Sequence, residues 1–134
     1  MAQKSKRSLE AQICHDSFAS AYVEAMLWSS TDESDDYGGD PLDENYSLED
    51  FTIAGLGQII RDCAEFLDMP GVDDAIGSDY ERAGHDFWLT RNGHGAGFWD
   101  GDWPEPEATL LTDAAHSMGE QWVYVGDNGR LYIS

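Results

Sequence analysis

The apolar residues of this chain change period at about residue 84. Before that point they recur at helical spacing: Ile13, Ser17, Ala21 and Cys14, Phe18, Ala25 through Trp28, then Phe51, Ile59, Ile60, Cys63, Phe66 and Leu67. After it, Asp86-Phe87-Trp88-Leu89-Thr90 is aromatic and β-branched, and Asn92-Gly93 is a dipeptide favoured in two-residue hairpin turns. Gly97-Phe98-Trp99 then returns. Residues 85–100 therefore predict an antiparallel hairpin. The first half predicts a long amphipathic helix over 8–28, with Ser8 as its cap and Asp16 and Glu24 on its wet side. A loop follows over 29–45, then a second helix over 48–68. Ser47 and Asp50 form a capping-box pattern before it, Gly55 and Gly57 weaken its first turns, and Met69-Pro70-Gly71 ends it. Residues 72–84 read as a short helical turn or loop. Beyond the hairpin, 109–118 reads as a helix ended by Gly119, and 121–125 and 131–133 read as strands joined through Gly126-Asp127-Asn128-Gly129. The expected fold is α+β, helices packed on a small antiparallel sheet, in the order α-α-β-β-α-β-β.

At 134 residues, one domain is expected over 8–134, behind a basic flexible tail at 1–7 and with an acidic loop at about 29–46. The charge is lopsided: 7 basic against 27 acidic residues, net −20. Lys4, Lys6 and Arg7 fall in the tail, and no further Lys or Arg occurs until Arg61. Such a chain repels nucleic acid and anionic membrane at long range and attracts basic surfaces. Cys14 and Cys63 form no CxxC pair, and both fall on apolar helix faces, where they read as small buried hydrophobes of a reducing compartment. No apolar run approaches the roughly 20 residues of a membrane span, and the basic start precedes no apolar stretch of a secretory signal. A cytoplasmic location is expected.

His85, Asp86 and His94 are the candidates for a metal or acid–base cluster. On a hairpin turning at Asn92-Gly93 the two histidines lie roughly 20 Å apart, too far to share one metal. No Gly-x-Ser-x-Gly elbow occurs, and Gly93-His94-Gly95-Ala96-Gly97 lacks the lysine and following helix of a phosphate loop. Neither catalysis nor a cofactor is expected. A small hydrolase-like enzyme using His85, His94 and a carboxylate is the alternative. Residues 32–43 can be laid on a calcium loop, with Asp32, Ser34, Asp36 and Asp40 as ligands. Tyr37 then stands where glycine is demanded and Asp43 replaces the long bidentate glutamate, so an EF-hand is not expected. Trp88, Trp99, Trp122 and Tyr124 read as sheet residues packed on helices. Trp103, ahead of Pro104-Glu105-Pro106, reads as either a lid on the core or an exposed contact.

The stretches LWSSTDES, PLDENYS, AGHDFWLTRNGHGAGFWD and YVGDNGRLY resemble a widespread, uncharacterised family of small acidic proteins of bacteriophages and mobile elements. The resemblance spans 27–132 and fails after Asp100, where GDWPEPEATLL replaces a more basic, glycine-rich turn. It implies a setting in an infected bacterial cell and no catalytic residues. With the charge, it leads to an expected interaction protein, an inhibitor of a host nucleic-acid-binding defence factor of the anti-CRISPR or anti-restriction type. Its partner is the basic groove of that factor, with no direct nucleic-acid or membrane binding. Asp32, Glu33, Asp35, Asp36, Asp40, Asp43, Glu44, Glu49 and Asp50 are the expected charge-mimicking contacts, clustered with Asp73, Asp74 and Asp79, and Trp103 is a further contact. A phage regulatory module with incidental acidity is the remaining alternative.

Overall fold

The computed structural model describes residues 5–33, 39–94 and 96–134. The described elements run α1 (Lys6–Cys14), α2 (Ser17–Ser29), short 3-10 turns at Leu42–Glu44 and Leu48–Asp50, and α3 (Ile53–Asp68). Then come α4 (Val72–Ile76), α5 (Tyr80–Arg91), α6 (Glu107–Ser117), β1 (Val123–Val125) and β2 (Leu131–Ile133). Helices with a small antiparallel sheet are the α+β architecture expected. The order differs, because among the described residues strands occur only at the C-terminal end.

The predicted first helix is two helices. The Asp16 carboxylate accepts hydrogen bonds from the Phe18 and Ala19 amides at 2.9 and 3.1 Å, which starts α2 afresh one residue after α1 stops at His15. Side-chain capping competes well with helix continuation at such a residue. The apolar period runs through the break because both pieces turn their apolar side inward, Ile13 from α1 and Phe18, Ala21, Tyr22 and Ala25 from α2. Helix α1 opens earlier than expected, with Ser5 capping it through the Ser8 amide, so Lys6 and Arg7 belong to the helix and not to a tail. Cys14 is exposed, against expectation, and Cys63 is buried. The Ser47–Asp50 pairing forms, with the Ser47 amide donating to Asp50 Oδ2 at 2.8 Å, but it closes a 3-10 turn. Helix α3 starts three residues later, capped by Thr52.

The hairpin expected over 85–100 is absent, and its first strand is α5. Phe87, Trp88, Leu89, Thr90 and Arg91 are consecutive buried residues, so no polar face remains to display a helical period. The Asn92-Gly93 pair is the helix stop. Gly93, at φ 68°, donates to the Thr90 carbonyl at 3.1 Å and His94 to the Leu89 carbonyl at 3.0 Å, the paired bonds of a Schellman cap. The positive φ that suits a hairpin turn also suits this cap, which is how one dipeptide supports both readings. The chain then folds back so that the Phe98 amide donates to Thr90 Oγ1 at 3.0 Å and Phe98 enters the core.

Helices α2 and α5 form the main helix pair. Gly84 makes their close approach possible, since a Cβ there would run into the Phe18 carbonyl oxygen. Around that contact the aromatic rings gather: Phe66 and Phe87 stack at 4.1 Å, Tyr22 and Phe87 at 5.0 Å, and Trp88 meets Tyr22 edge-on at 5.5 Å. Each fully buried ring contributes about 1.5–3 kcal/mol of burial, and the ring pairs add to it. Helix α6 ends at the expected place, with Gly119 at φ 76°. Strands β1 and β2 pair as expected, with Val123 opposite Ile133 and Val125 opposite Leu131. The Thr52 amide donates to the Leu131 carbonyl at 3.1 Å, so β2 is covered on its far side by the start of α3.

Candidate functional site

The acidic segment lies against the start of α1 and the end of α2. Asp32 donates its amide to the Asp40 carbonyl at 2.9 Å, and Leu42, fully buried, donates to the Ser30 carbonyl at 2.9 Å. These anchors place Asp40, Asp43 and Glu44 on the exposed side, and Glu49 is exposed as well. Asp32 is half-buried and accepts the Tyr46 hydroxyl at 3.4 Å; desolvation and this carboxylate push the Tyr46 phenol up. Glu33, exposed, accepts the Thr31 hydroxyl at 2.8 Å. Asp50 serves its 3-10 turn, and the Lys6 ammonium donates to the Glu49 carbonyl at 2.6 Å. Asp35 and Asp36, with Ser34 and Tyr37 of the calcium-loop pattern, lie outside the described residues. Asp73 and Asp74 belong to α4, which packs on α6 and α3, while the acidic segment packs on α2. The expected clustering of the two groups has no support in these contacts. Among the described residues no group of three His, Cys, Asp or Glu side chains is placed to hold a metal ion, and no helix is long and apolar enough to cross a membrane.

With the hairpin replaced by a helix, the histidines take new places. His85 lies on α5 beside the Trp28 ring, 5.9 Å between centroids, and lines a cavity of about 410 Å³. Glu24, Asp79, Glu81, Asp86 and Asp102 line that cavity too. His94 lies past the helix stop and lines a different cavity, of about 440 Å³, with Trp88, Asn92 and Glu120. The two histidines do not share a site. Trp103 is buried and so is the core lid, not an exposed contact. Its indole donates to Asp86 Oδ2 at 2.7 Å. Burial pushes the Asp86 carboxyl up; Asp100 and Asp102 add to the shift, and the Trp103 hydrogen bond and His85 oppose it.

The most buried charged residue among the described residues is one the sequence hides. The Arg91 guanidinium, almost fully buried, donates to Asp62 at 3.0 Å, the Tyr22 hydroxyl at 2.9 Å, and the Gly119 and Met118 carbonyls at 2.8 and 3.1 Å. It also lies 5.2 Å from the centre of the Phe87 ring. Gln58 completes the cluster by donating to Asp62 at 2.7 Å. Burial raises the Tyr22 phenol, which stays protonated. Every bond here ends on α2, α3 or the α6 stop, so the cluster ties helices together and presents no atom to a ligand.

The second surface that sequence misses is the cleft beside β1. A cavity of about 370 Å³ runs between Val123, Tyr124 and Val125 on one side and Thr31 and Glu33 on the other. It adjoins the cavity of His94, with which it shares Thr31, Glu33, Trp122, Val123 and Ser134. Trp122 and Tyr124 are exposed beside it, Trp122 at 69%. Their alternation with Val123 is a strand signal in the sequence, but which edge stays open is a property of the fold. No protein family model, curated protein or solved structure matches this chain.

Proposed function

We propose that this chain is an acidic interaction protein that inhibits a nucleic-acid-binding factor of an infected bacterial host by occupying its basic groove. The observation that carries this reading is the scarcity of cations among the carboxylates. Among the described residues there are two ion pairs, the exposed Arg82–Asp79 pair and the buried Arg91–Asp62 pair. Asp40, Asp43, Glu44 and Glu49 are exposed and have no ion-pair partner among the described residues. That charge is available to an outside cation.

Density sets how the charge can act. Twenty net negative charges over 7625 Å² amount to about one per 380 Å². Duplex DNA presents roughly one per 100 Å² on a cylinder of about 10 Å radius. Imitation of a whole duplex face is therefore weak, and the reading rests on the local run 40–50, with five carboxylates in eleven residues. The test uses protein immobilised from the full chain and host proteins captured at low salt. Elution should be steep in salt, the eluted partner should bind DNA or RNA, and added protein should displace that nucleic acid. A variant carrying Asp40→Asn, Asp43→Asn, Glu44→Gln and Glu49→Gln should bind at least about tenfold more weakly, a loss of about 1.4 kcal/mol. Equal binding by the folded variant, or a partner with no nucleic-acid affinity, overturns the reading. The hydrolase-like alternative requires His85 and His94 at one site, and they line separate cavities.

A further inference from the structure

We infer that the open edge of β1 accepts an extended basic strand from a partner protein, adding a third strand to the sheet. The ladder fixes which backbone groups face outward. Trp122 and Ser134 exchange both hydrogen bonds, at 3.2 and 2.8 Å, and the Gly126 amide donates to the Arg130 carbonyl at 2.8 Å. Hydrogen-bonded and non-hydrogen-bonded pairs alternate in an antiparallel ladder, so Tyr124 faces β2 while Val123 and Val125 turn their amides and carbonyls away from it. The Leu131 carbonyl on the opposite strand obeys the same alternation, since it points away from β1 and accepts from Thr52. Val123 and Val125 make no outward backbone bond to any described residue. Beside them is the 370 Å³ cleft, walled by Thr31 and Glu33.

Apart from its shortness, at three residues, the edge lacks the usual protections. Natural edge strands carry lysine, proline or a bulge against unwanted pairing. Residues 121–126 read QWVYVG, with no charge and no proline. A second copy of this chain is a poor occupant, because each copy brings a net charge of −20 to the contact. A basic strand is a good one. Glu33 and Glu120 flank the two adjoining cavities, and no lysine or arginine lines either. Exposed Trp122 and Tyr124 offer ring faces to alternate side chains and to cationic heads. The inference rests on the partner being basic, as proposed above, and adds where and how its chain is held.

The probe is the peptide Lys-Val-Lys-Val-Lys-Val, titrated into the isotope-labelled full chain at low salt. Its control is the same peptide with every backbone nitrogen methylated, which keeps charge and side chains but loses all amide donors. The Val123 and Val125 amides should shift and exchange with solvent more slowly on adding the first peptide. The methylated peptide should bind at least about tenfold more weakly, as expected when several backbone bonds are lost. Val125→Pro removes an outward amide and no ladder bond, so it should weaken the first peptide similarly with the fold intact. If that variant unfolds, the peptide comparison decides alone. Equal binding of the two peptides, or silence at Val123 and Val125, overturns the inference. So does slow exchange at those amides without peptide in a sample that sediments as a dimer. The four-carboxylate variant separates the two readings. If it loses the captured partner but keeps the peptide at Val123 and Val125, only the acidic segment is charged with partner affinity. If it keeps the partner, the charge reading fails while the edge still stands on the peptide result.

Discussion

Arg91 is buried in the interior, and its charge is tolerable there only because Asp62 and three oxygen acceptors surround it. A buried ion pair adds little net stability, but removing one partner leaves the other charge stranded. Arg91→Ala should cost about 3–5 kcal/mol in a urea titration. The double change Arg91→Met with Asp62→Leu should recover much of that loss, because both charges then go together. A single change costing under about 1 kcal/mol counts against the cluster as the tie between the helices. Sequence cannot announce such a residue. Set in Leu89-Thr90-Arg91-Asn92, it reads as a strand end near a turn, where an arginine faces solvent. Only the descent of α5 through the aromatic core carries it inward.

At the scale of elements, what is legible depends on whether a segment has a wet side. Helix α3 is amphipathic, with Leu56, Ile59, Cys63 and Phe66 inside and Arg61 and Glu65 outside, and its body was plain in the sequence. The C-terminal ribbon and the Gly119 stop were equally plain. Helix α5 has almost no wet side in its second half, so its aromatic run imitates a strand. Its stop imitated a turn for the same reason that Gly93 is needed there, a backbone at φ 68°. Beyond its chain neighbours, no atom of a described residue stands within 4 Å of where a Gly93 Cβ would lie, which leaves conformation as the main cost of adding one. Gly93→Ala should therefore lower stability by about 1 kcal/mol, and Gly93→Asn by less, in paired thermal or urea melts. A loss several times larger points to a packing role that this geometry lacks. The candidate site was legible in part: Asp40, Asp43, Glu44 and Glu49 are exposed and Asp50 is half-buried, whereas Trp103 is inside and the β1 edge required the register to be known.

Charge belongs to the whole molecule. Folding brings carboxylates from α1, α3, α4, α5 and the loops into one volume, and among the described residues few meet a cation. Their mutual repulsion is greater in the folded chain than in the expanded one. The melting temperature should thus rise by several degrees between about 10 and 300 mM sodium chloride, as the screening length falls from about 30 Å to below 8 Å. A fall in melting temperature over that range indicates that the acids are net attractive in the native state. The scarcity of ion pairs has an evolutionary corollary. Where surface acids are braced by lysines and arginines, replacing one disturbs its partner, and the surface drifts only by paired changes. Here, among the described residues, few acids have a cationic partner, so most can be gained, lost or moved one codon at a time without breaking an ion pair. The aromatic interior that makes the chain fold and its acidic surface can be inherited on separate schedules.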